Sequence, residues 1–506
     1  MTNVLRGDGA DASPGGASPA DAQAAGLAAR PETSLPPRLT RQRWKAFSLL
    51  VVAYFITIVD FTIVNVALPT IGRALHFAES DLQWLVTAYG LTFAGFLLLG
   101  GRAADLLGRR RILMVGVAVF TAASLAGGLA TSDAFLIVMR GLQGLGAALV
   151  LPAAQSIVMN MFPEGAERNK ALGIWGAVGA LGGTVGLLAG GILTSYAGWQ
   201  YIFFFNVPIG VAALALVPTM VPESRAGGGQ RRYDPFGAVS ITAALLVFVY
   251  AISQAPQVGW TATRTVAMLA VGVALLVAFL VIETRAEAPL LPLPLLRLSG
   301  VAGPNAVGFL LGTSFLTFVF IGTLYMQQVL GYSALETGAA WMAASLTSFA
   351  FAGLSQKLVT RTSAKLVMCF GMALIGAGIL WATQVPAGGT FWQNLAGPIF
   401  IAGTGTAFAF IPVSIGALAG VRERDAGVAS GLLNTSQNLG GAIGVAVASS
   451  IAASHSRTLA HHGVAAAAAL TGGFQWALWV CGLTGLAAIP AAFALIRRTR
   501  GPGAES

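Results

Sequence analysis

The sequence predicts an all-α polytopic membrane protein of fourteen transmembrane helices, arranged as two six-helix bundles plus two inserted helices. Three observations carry this prediction: scarce charge, a series of apolar segments of helix length, and cations placed on one side. Of the 506 residues, 9% are charged and 56% are hydrophobic, and the mean hydropathy is +0.76. Soluble domains carry about 25% charged residues, so a water-soluble globule is excluded, as are a disulfide scaffold and a nucleic-acid binder.

The apolar segments have the length of membrane-crossing helices. A helix needs about 20 mostly apolar residues to cross a hydrocarbon core of about 30 Å, and the alternation typical of an outer-membrane barrel is absent from the sequence. The count becomes thirteen if one segment fails to span. Spans 1 to 14 are predicted at 46–68, 83–103, 112–130, 134–158, 170–195, 201–220, 237–254, 264–283, 303–328, 334–357, 364–385, 391–418, 426–452 and 471–496.

The cations indicate the orientation of these spans. Lys and Arg accumulate in the cytoplasmic loops of membrane proteins. With a cytoplasmic N-terminus, 25 of the 29 cations fall on the inside, and only Arg73, Arg264 and Arg457 fall outside. A multi-pass cell-membrane protein with both termini in the cytoplasm is therefore predicted. The net charge of +10 reflects topology and not a nucleic-acid partner.

An internal repeat predicts the bundle organisation. A shift of 258 residues places LGGTVG, beginning at Leu181, on LGGAIG, beginning at Leu439. Duplicated halves around a central cavity are typical of secondary transporters. The predicted regions are a disordered cytoplasmic tail (1–43), an N-terminal bundle (44–220), a linker with two extra helices (221–300), a C-terminal bundle (301–497) and a second tail (498–506).

Two charged residues lie well inside the predicted spans, away from their ends. Asp60 in span 1 and Arg140 in span 4 are about 12 and about 9 Å below the outer surface at 1.5 Å per residue. Charges at this depth are costly and mark functional sites by default. A carboxylate whose partner and hydration change between two conformations can bind and release a proton. Proton coupling is therefore predicted, and a static ion pair that locks the two helices is the alternative.

The loop after span 2 carries a second charged group. Gly101 and Asp105 are one helical turn apart, which permits close helix approach above a carboxylate that can pair with a cation or with a helix N-terminus. Gly108 suits a left-handed turn, and Arg109 and Arg110 can bind helix-end carbonyls or anionic lipid headgroups. These five residues predict a conformational latch, whereas a simple positive-inside anchor is the alternative reading.

These motifs resemble a known family. The frame Gly101-x3-Asp105-x2-Gly108-Arg109-Arg110 is similar to the cytoplasmic-loop signature of the major facilitator superfamily. DFTIVNVALP, QWLVTAYGL, RGLQGLGAAL, WQYIFFFNVPIG, QQVLGYSALETG and GLLNTSQNLGGAIG resemble segments of its fourteen-span drug:proton antiporter branch. The resemblance implies two bundles that rock about a central site and export a small molecule in exchange for protons, without a cofactor. It assigns proton transfer to Asp60 and to Arg140 with Gln143.

One motif of that branch departs from its usual form. The resemblance makes Gly182, Gly186, Gly190 and Gly191 the glycines of the span-5 antiporter motif, but Leu187 stands where proline is expected. Loss of that proline is expected to weaken the seal between the bundles. The second-half copy of the loop motif is also degenerate.

Polar and aromatic side chains inside the spans are candidates for a substrate pathway, since pockets for organic molecules are apolar with a few polar anchors. Contact with a neighbouring helix is the competing role for each. The candidates are Asn65, Tyr89, Gln143, Gln155, Trp175, Gln327, Asn434 and Gln437.

The expected partners are a small-molecule substrate, protons and membrane lipid, with the protein monomeric and without a nucleic-acid partner or metal. No acidic residue lies deep in spans 9 to 14, which favours neutral, zwitterionic or anionic cargo. A proton-coupled importer on the same fold is the main alternative. A membrane enzyme is disfavoured because the spans carry no cluster of His, Asp or Glu.

Overall fold

The structure is a computed structural model, and it describes residues 37–77, 84–163, 165–224, 234–286, 289–291, 299–419, 421–422 and 425–496. The predicted C-terminal tail and the first 36 residues of the predicted N-terminal tail lie outside these described residues. The first helix begins at Pro37, inside the segment predicted to be disordered. Proline is favoured in the first turn of a helix, where its missing N–H has no partner to lose.

The described residues form α-helices with two short π-helical turns. The first bundle contains α1 Pro37–Ala74, α2 Trp84–Leu107, α3 Arg109–Gly128, α4 Asp133–Met161, α5 Ala166–Tyr196, α6 Tyr201–Phe204 and α7 Asn206–Met220. The inserted pair is α8 Pro235–Val258 and α9 Thr263–Arg285. The second bundle contains α10 Ser299–Leu311, α11 Thr317–Gln328, α12 Ala334–Arg361, α13 Ala364–Ala382, α14 Ala396–Leu418, α15 Ala426–His461 and α16 Ala466–Leu495.

Thirteen spans in the described part of the chain are long and apolar enough to cross a membrane. The predicted tenth span, α12, is not among them, although its 28 residues are enough to cross a bilayer. Five buried Ser and Thr side chains make α12 less apolar, and they are Thr337, Ser345, Thr347, Ser348 and Ser355. Helix α12 therefore combines these buried hydroxyl groups with exposed apolar side chains such as Leu346 and Phe349.

Three predicted spans differ from a single regular α-helix, which the apolar pattern did not reveal. Span 6 is divided at Phe205 into α6 and α7, but Phe205 keeps helical backbone angles (φ −55°, ψ −34°). Span 9 contains a π-helical turn at Gly312–Leu316, and span 12 begins with another at Phe391–Leu395. A π turn inserts one residue into a helix, often at a functional site. Gly312 lies so close to the Gln437 carbonyl oxygen that a methyl group there would overlap it.

The two halves repeat one mode of packing, which supports the predicted duplication. A methyl group at Gly186 of α5 would lie 2.7 Å from the Val59 carbonyl oxygen of α1. One at Gly444 of α15 would lie 2.6 Å from the Thr313 carbonyl oxygen, in the π turn after α10. In both halves, therefore, a helix that carries a glycine at the contact packs directly against the backbone of the first helix of that half.

The most extensive contacts between the bundles are those of α5 with α12 and of α2 with α15, and smaller ones join α4 to α15 and α5 to α14. Helix α8 of the inserted pair packs on both α2 and α15, so it lies along the second of these contacts. The end of the molecule where α2 finishes is called the Asp105 end, and the end where α4 begins is called the Asp133 end.

Candidate functional site

Asp60 and Arg140 form an ion pair between α1 and α4. The Arg140 Nη1 atom lies 2.6 Å from Asp60 Oδ2, and neither side chain is exposed to solvent. A buried charge is tolerated when it is paired and hydrogen-bonded. The common depth of the two residues follows from the constant rise of the helices that carry them.

Arg140 is held by two further contacts with α2. Its Nε atom donates a hydrogen bond to the Leu85 carbonyl oxygen at 2.8 Å, and its guanidinium carbon lies 4.5 Å from the centre of the Tyr89 ring. A cation over an aromatic face is stabilised by the ring quadrupole. The Tyr89 hydroxyl donates to the Thr57 carbonyl oxygen on α1 at 2.9 Å, so α1, α2 and α4 are joined around the ion pair.

Neutral polar side chains complete the shell around Asp60. Gln143 Nε2 donates to Asp60 Oδ1 at 3.0 Å and to Ser124 Oγ at 2.7 Å. Asn206 Nδ2 donates to the same carboxylate oxygen at 2.6 Å. The sequence had pointed to Gln143 but not to Ser124 or Asn206. An available signal for Asn206 was that it is the only amide side chain in span 6.

This arrangement can bind a proton without losing its framework. Asp60 accepts from three donors while it is ionised, namely Arg140, Gln143 and Asn206. Protonation removes the negative charge and leaves the Arg140 cation without a counterion, which weakens the attraction between α1 and α4. The charge on Asp60 therefore contributes to the attraction between α1 and α4.

Asp105 connects the two bundles at the opposite depth of the molecule. Its Oδ1 atom accepts from Arg109 Nη2 at 3.0 Å, and its Oδ2 atom accepts from the Val428 backbone N–H at 3.1 Å. Val428 lies in the first turn of α15, where backbone N–H groups lack helical partners and the helix dipole favours an anion. Asp105 thus contacts both the cation and the helix N-terminus that the sequence left as alternatives.

Glycines permit the close approach that this contact needs. A methyl group at Gly101 of α2 would overlap the Gly427 carbonyl oxygen, and one at Gly427 would lie 2.7 Å from Asp105 Oδ2. The bundles are therefore in backbone contact at the Asp105 end.

Gly108 and Arg110 belong to a neighbouring contact within the first bundle. Gly108 has φ of 113°, a conformation that glycine adopts without strain. The Glu223 Oε1 atom accepts from the Arg110 backbone N–H at 3.2 Å, and the Arg109 N–H donates to the Ser224 carbonyl oxygen at 3.0 Å. Glu223 lies after α7 and was not identified from the sequence.

The antiporter-motif glycines lie where the structure needs small residues. Gly182, Gly186 and Gly190 contact the α1 stretch from Ile58 to Ile63, which includes Asp60, whereas Gly191 lies against Leu335. Leu187 occupies an unbroken helix α5 and lies directly against Gly338 of α12, because a methyl group at Gly338 would be 3.1 Å from Leu187 Cβ. The leucine in place of proline therefore fills the interbundle contact.

The other pathway candidates are dispersed. Gln155 and Asn434 meet across the bundles, with 3.1 Å between the Asn434 Nδ2 and Gln155 Oε1 atoms. Trp175 stacks on Tyr54 with 4.1 Å between ring centres. The remaining three are not brought to these clusters, since Asn65 and Gln327 are exposed and Gln437 lies beside the π turn. No group of three or more His, Cys, Asp or Glu in the described residues is arranged to hold a metal ion.

Two solved structures share this fold. The human organic anion transporter MFSD10 has a TM-score of 0.60 at 15% sequence identity, with 89% of this chain and 100% of that chain covered. The proton:xylose symporter XylE has a TM-score of 0.63 at 14% identity, with 91% and 97% covered.

Curated proteins are similar at higher identity. The cephamycin export protein CmcT of Amycolatopsis lactamdurans is 39% identical over 79% of this chain and 83% of its own length. The puromycin resistance protein pur8 of Streptomyces alboniger is 35% identical over 85% and 86%. The multidrug resistance protein Stp of Mycobacterium tuberculosis is 35% identical over 81% and 76%. The sequence model of the family described as Major Facilitator Superfamily matches residues 50–445. This chain therefore belongs to the major facilitator superfamily, as its motifs predicted.

Proposed function

We propose that this protein exports a small organic molecule in exchange for protons by alternating access, with both termini in the cytoplasm and the Asp105 end facing inward. The observation that carries the proposal is the fully buried Asp60–Arg140 pair with its hydrogen-bonded shell. The names of the relatives supply the direction and the kind of cargo, since they describe antibiotic export and resistance. The basic loops support the orientation.

The two sites have separate roles in this cycle. Asp60 carries the proton, and Arg140 competes with that proton for the carboxylate. The contact between Asp105 and the start of α15 holds the bundles together at the inner face and breaks when the site opens toward the cytoplasm. The inserted helices α8 and α9 belong to the linker between two six-helix bundles, and no cofactor is needed because the proton gradient supplies the energy.

Inside-out vesicles from an export-deficient bacterial host test the proposal. The vesicle interior is acidified by respiration, puromycin or a cephamycin is added, and both drug accumulation and interior pH are measured. Drug accumulation with proton loss from the interior is expected for the native chain. Asp60→Asn is expected to abolish this exchange but to retain drug-for-drug counterflow, while Glu167→Gln, an exposed acid outside the site, serves as the matched control.

Three results would contradict the proposal. Proton-driven accumulation by Asp60→Asn would remove Asp60 from the role of proton carrier. Drug and protons leaving the vesicles together would indicate an importer. Drug accumulation that survives collapse of the proton gradient would remove proton coupling altogether.

A further inference from the structure

Asn206 presents an unpaired carbonyl oxygen beside Asp60. Its side chain is 1% exposed, and its Nδ2 atom lies 2.6 Å from Asp60 Oδ1. The Asn206 Oδ1 atom is buried and has no hydrogen-bond partner among the described residues. Buried polar atoms in folded proteins are nearly always paired, so an unpaired acceptor next to a carboxylate requires an explanation.

The two protonation states of Asp60 need opposite partners. A carboxylate only accepts hydrogen bonds, whereas a carboxylic acid also donates one through its hydroxyl group. Arg140 has no acceptor atom. Gln143 is occupied at both ends of its amide, because Oε1 accepts from Arg140 Nη1 at 2.9 Å while Nε2 donates to Asp60 and Ser124.

Asn206 is the amide in this shell whose acceptor is free. It lies at the first position of α7, and its side chain reaches Asp60 from a different helix than Gln143 does. The terminal torsion of an asparagine side chain is broad, so rotation by about 180° about this bond exchanges the donor for the acceptor without moving the backbone.

We propose that Asn206 serves Asp60 in both protonation states, as a donor to the carboxylate and, after rotation of its amide, as an acceptor from the acid. The proposal rests on the proposed function, in which Asp60 carries the transported proton. A proton from the medium binds Asp60 Oδ1, the Asn206 amide turns, and the Asn206 Oδ1 atom accepts from the new O–H group. Release of the proton reverses both steps, and no covalent bond of Asn206 changes.

The surroundings of Asp60 contain few other titratable groups. Among the described residues, Arg140 faces it from α4 and Tyr89 faces it from α2. Helices α3 and α7 present the uncharged Ser124 and Asn206, and α5 presents glycines. When Asn206 is substituted, a change in the titration of Asp60 can therefore be attributed to Asn206, because the charged groups around Asp60 stay the same.

Infrared titration of the purified native chain in lipid vesicles tests this role. The stretching band of a protonated carboxyl group is followed against pH and assigned to Asp60 by its loss in Asp60→Asn. In Asn206→Leu the band frequency is expected to shift, because the acid loses its acceptor. The titration midpoint is expected to rise by about 0.5 to 1 pH unit, because a hydrogen bond to the charged form is worth more than one to the neutral form.

Two further variants test whether the effect is specific to the Asn206 side chain. Asn160→Leu removes another amide of the first bundle whose side-chain atoms lack hydrogen-bond partners, and it is expected to leave band and midpoint unchanged. Asn206→Asp keeps the side-chain shape, so it tests the site even where the leucine variant fails to fold. Its second carboxylate is expected to raise the midpoint by more than about 1 unit, since neighbouring carboxylates share a proton. Counterflow of drug measures folding in each variant.

The outcomes separate the two claims. A native band and midpoint in folded Asn206→Leu, or an unmoved midpoint in Asn206→Asp, would overturn the role of Asn206 and leave the proton carrier in place. A carboxyl band that persists in Asp60→Asn, together with proton-driven export by that variant, would overturn the proposed function itself.

Discussion

The carboxylate of Asp105 on α2 accepts a hydrogen bond from the Val428 N–H at the start of α15, with 3.1 Å between oxygen and nitrogen. One side chain of the first bundle thus caps a helix of the second. The carboxylate is fully buried and is also paired with Arg109. This charge-assisted contact can form only while the two bundles lie against each other at the Asp105 end.

Replacing Asp105 by asparagine is expected to destabilise the closed state at this end. A hydrogen bond to a charged group is worth about 1.5–3 kcal/mol, so the ratio of closed to open molecules should fall by about tenfold or more. Cysteine labelling from the cytoplasmic side, at Ser430→Cys, should accelerate accordingly while export slows. Glu167→Gln is the control for loss of an acid, and unchanged labelling in Asp105→Asn would show that the contact does not hold the bundles.

The proximity of Asp60 and Arg140 could be anticipated from the sequence, because charge is rare in the spans and the helix rise is constant. The depths of Asp60 and Arg140 could therefore be compared before any packing was known. Asn206 and Ser124 were missed because neutral polar residues are common in spans and only helix rotation decides which ones meet. Val428 contributes a backbone N–H, which leaves no trace in its residue type. The π-helical turn at Gly312–Leu316 was equally hidden in a mostly apolar segment.

Gly186 is expected to tolerate no side chain. A methyl group there would lie 2.7 Å from the Val59 carbonyl oxygen, one residue before Asp60. Gly186→Val should displace α1 and cost about 1–3 kcal/mol of stability, measured as a lower melting temperature together with reduced export. Gly183→Val is the matched control on the same helix, since its nearest neighbour beyond α5 is a Thr62 methyl at 4.0 Å. Equal losses in both variants would contradict a specific contact with α1.

Gly338 is expected to be needed for the contact between α5 and α12. A methyl group at this position would lie 3.1 Å from Leu187 Cβ. Gly338→Val should separate the two helices and slow export, and Leu187→Ala in the same chain should restore part of the lost rate because it makes room for the valine. Gly353→Val is the control on α12, where nothing lies within 4 Å of an added methyl group. Additive losses in the double variant would argue against direct packing of this pair.

Trp260 joins the inserted helices to the second bundle. Its indole N–H donates to Ser450 Oγ on α15 at 2.6 Å, while Tyr250 of α8 stacks on Trp84 of α2 with 5.8 Å between ring centres. The inserted pair therefore contacts both bundles at the Asp133 end. Because the bundles move relative to each other during transport, this hydrogen bond should stabilise one conformation over the other.

Loss of that donor is expected to change the export rate by about two- to tenfold, the equivalent of one neutral hydrogen bond of about 0.5–1.5 kcal/mol. Trp260→Phe and Ser450→Ala should each produce the change, and the double variant should match the single ones because both remove the same contact. Trp392→Phe, at a tryptophan that is 79% exposed, is the control for loss of an indole. If the effects of the two substitutions add up in the double variant, Trp260 and Ser450 act separately. The inserted helices would then follow the bundles without changing the equilibrium between their conformations.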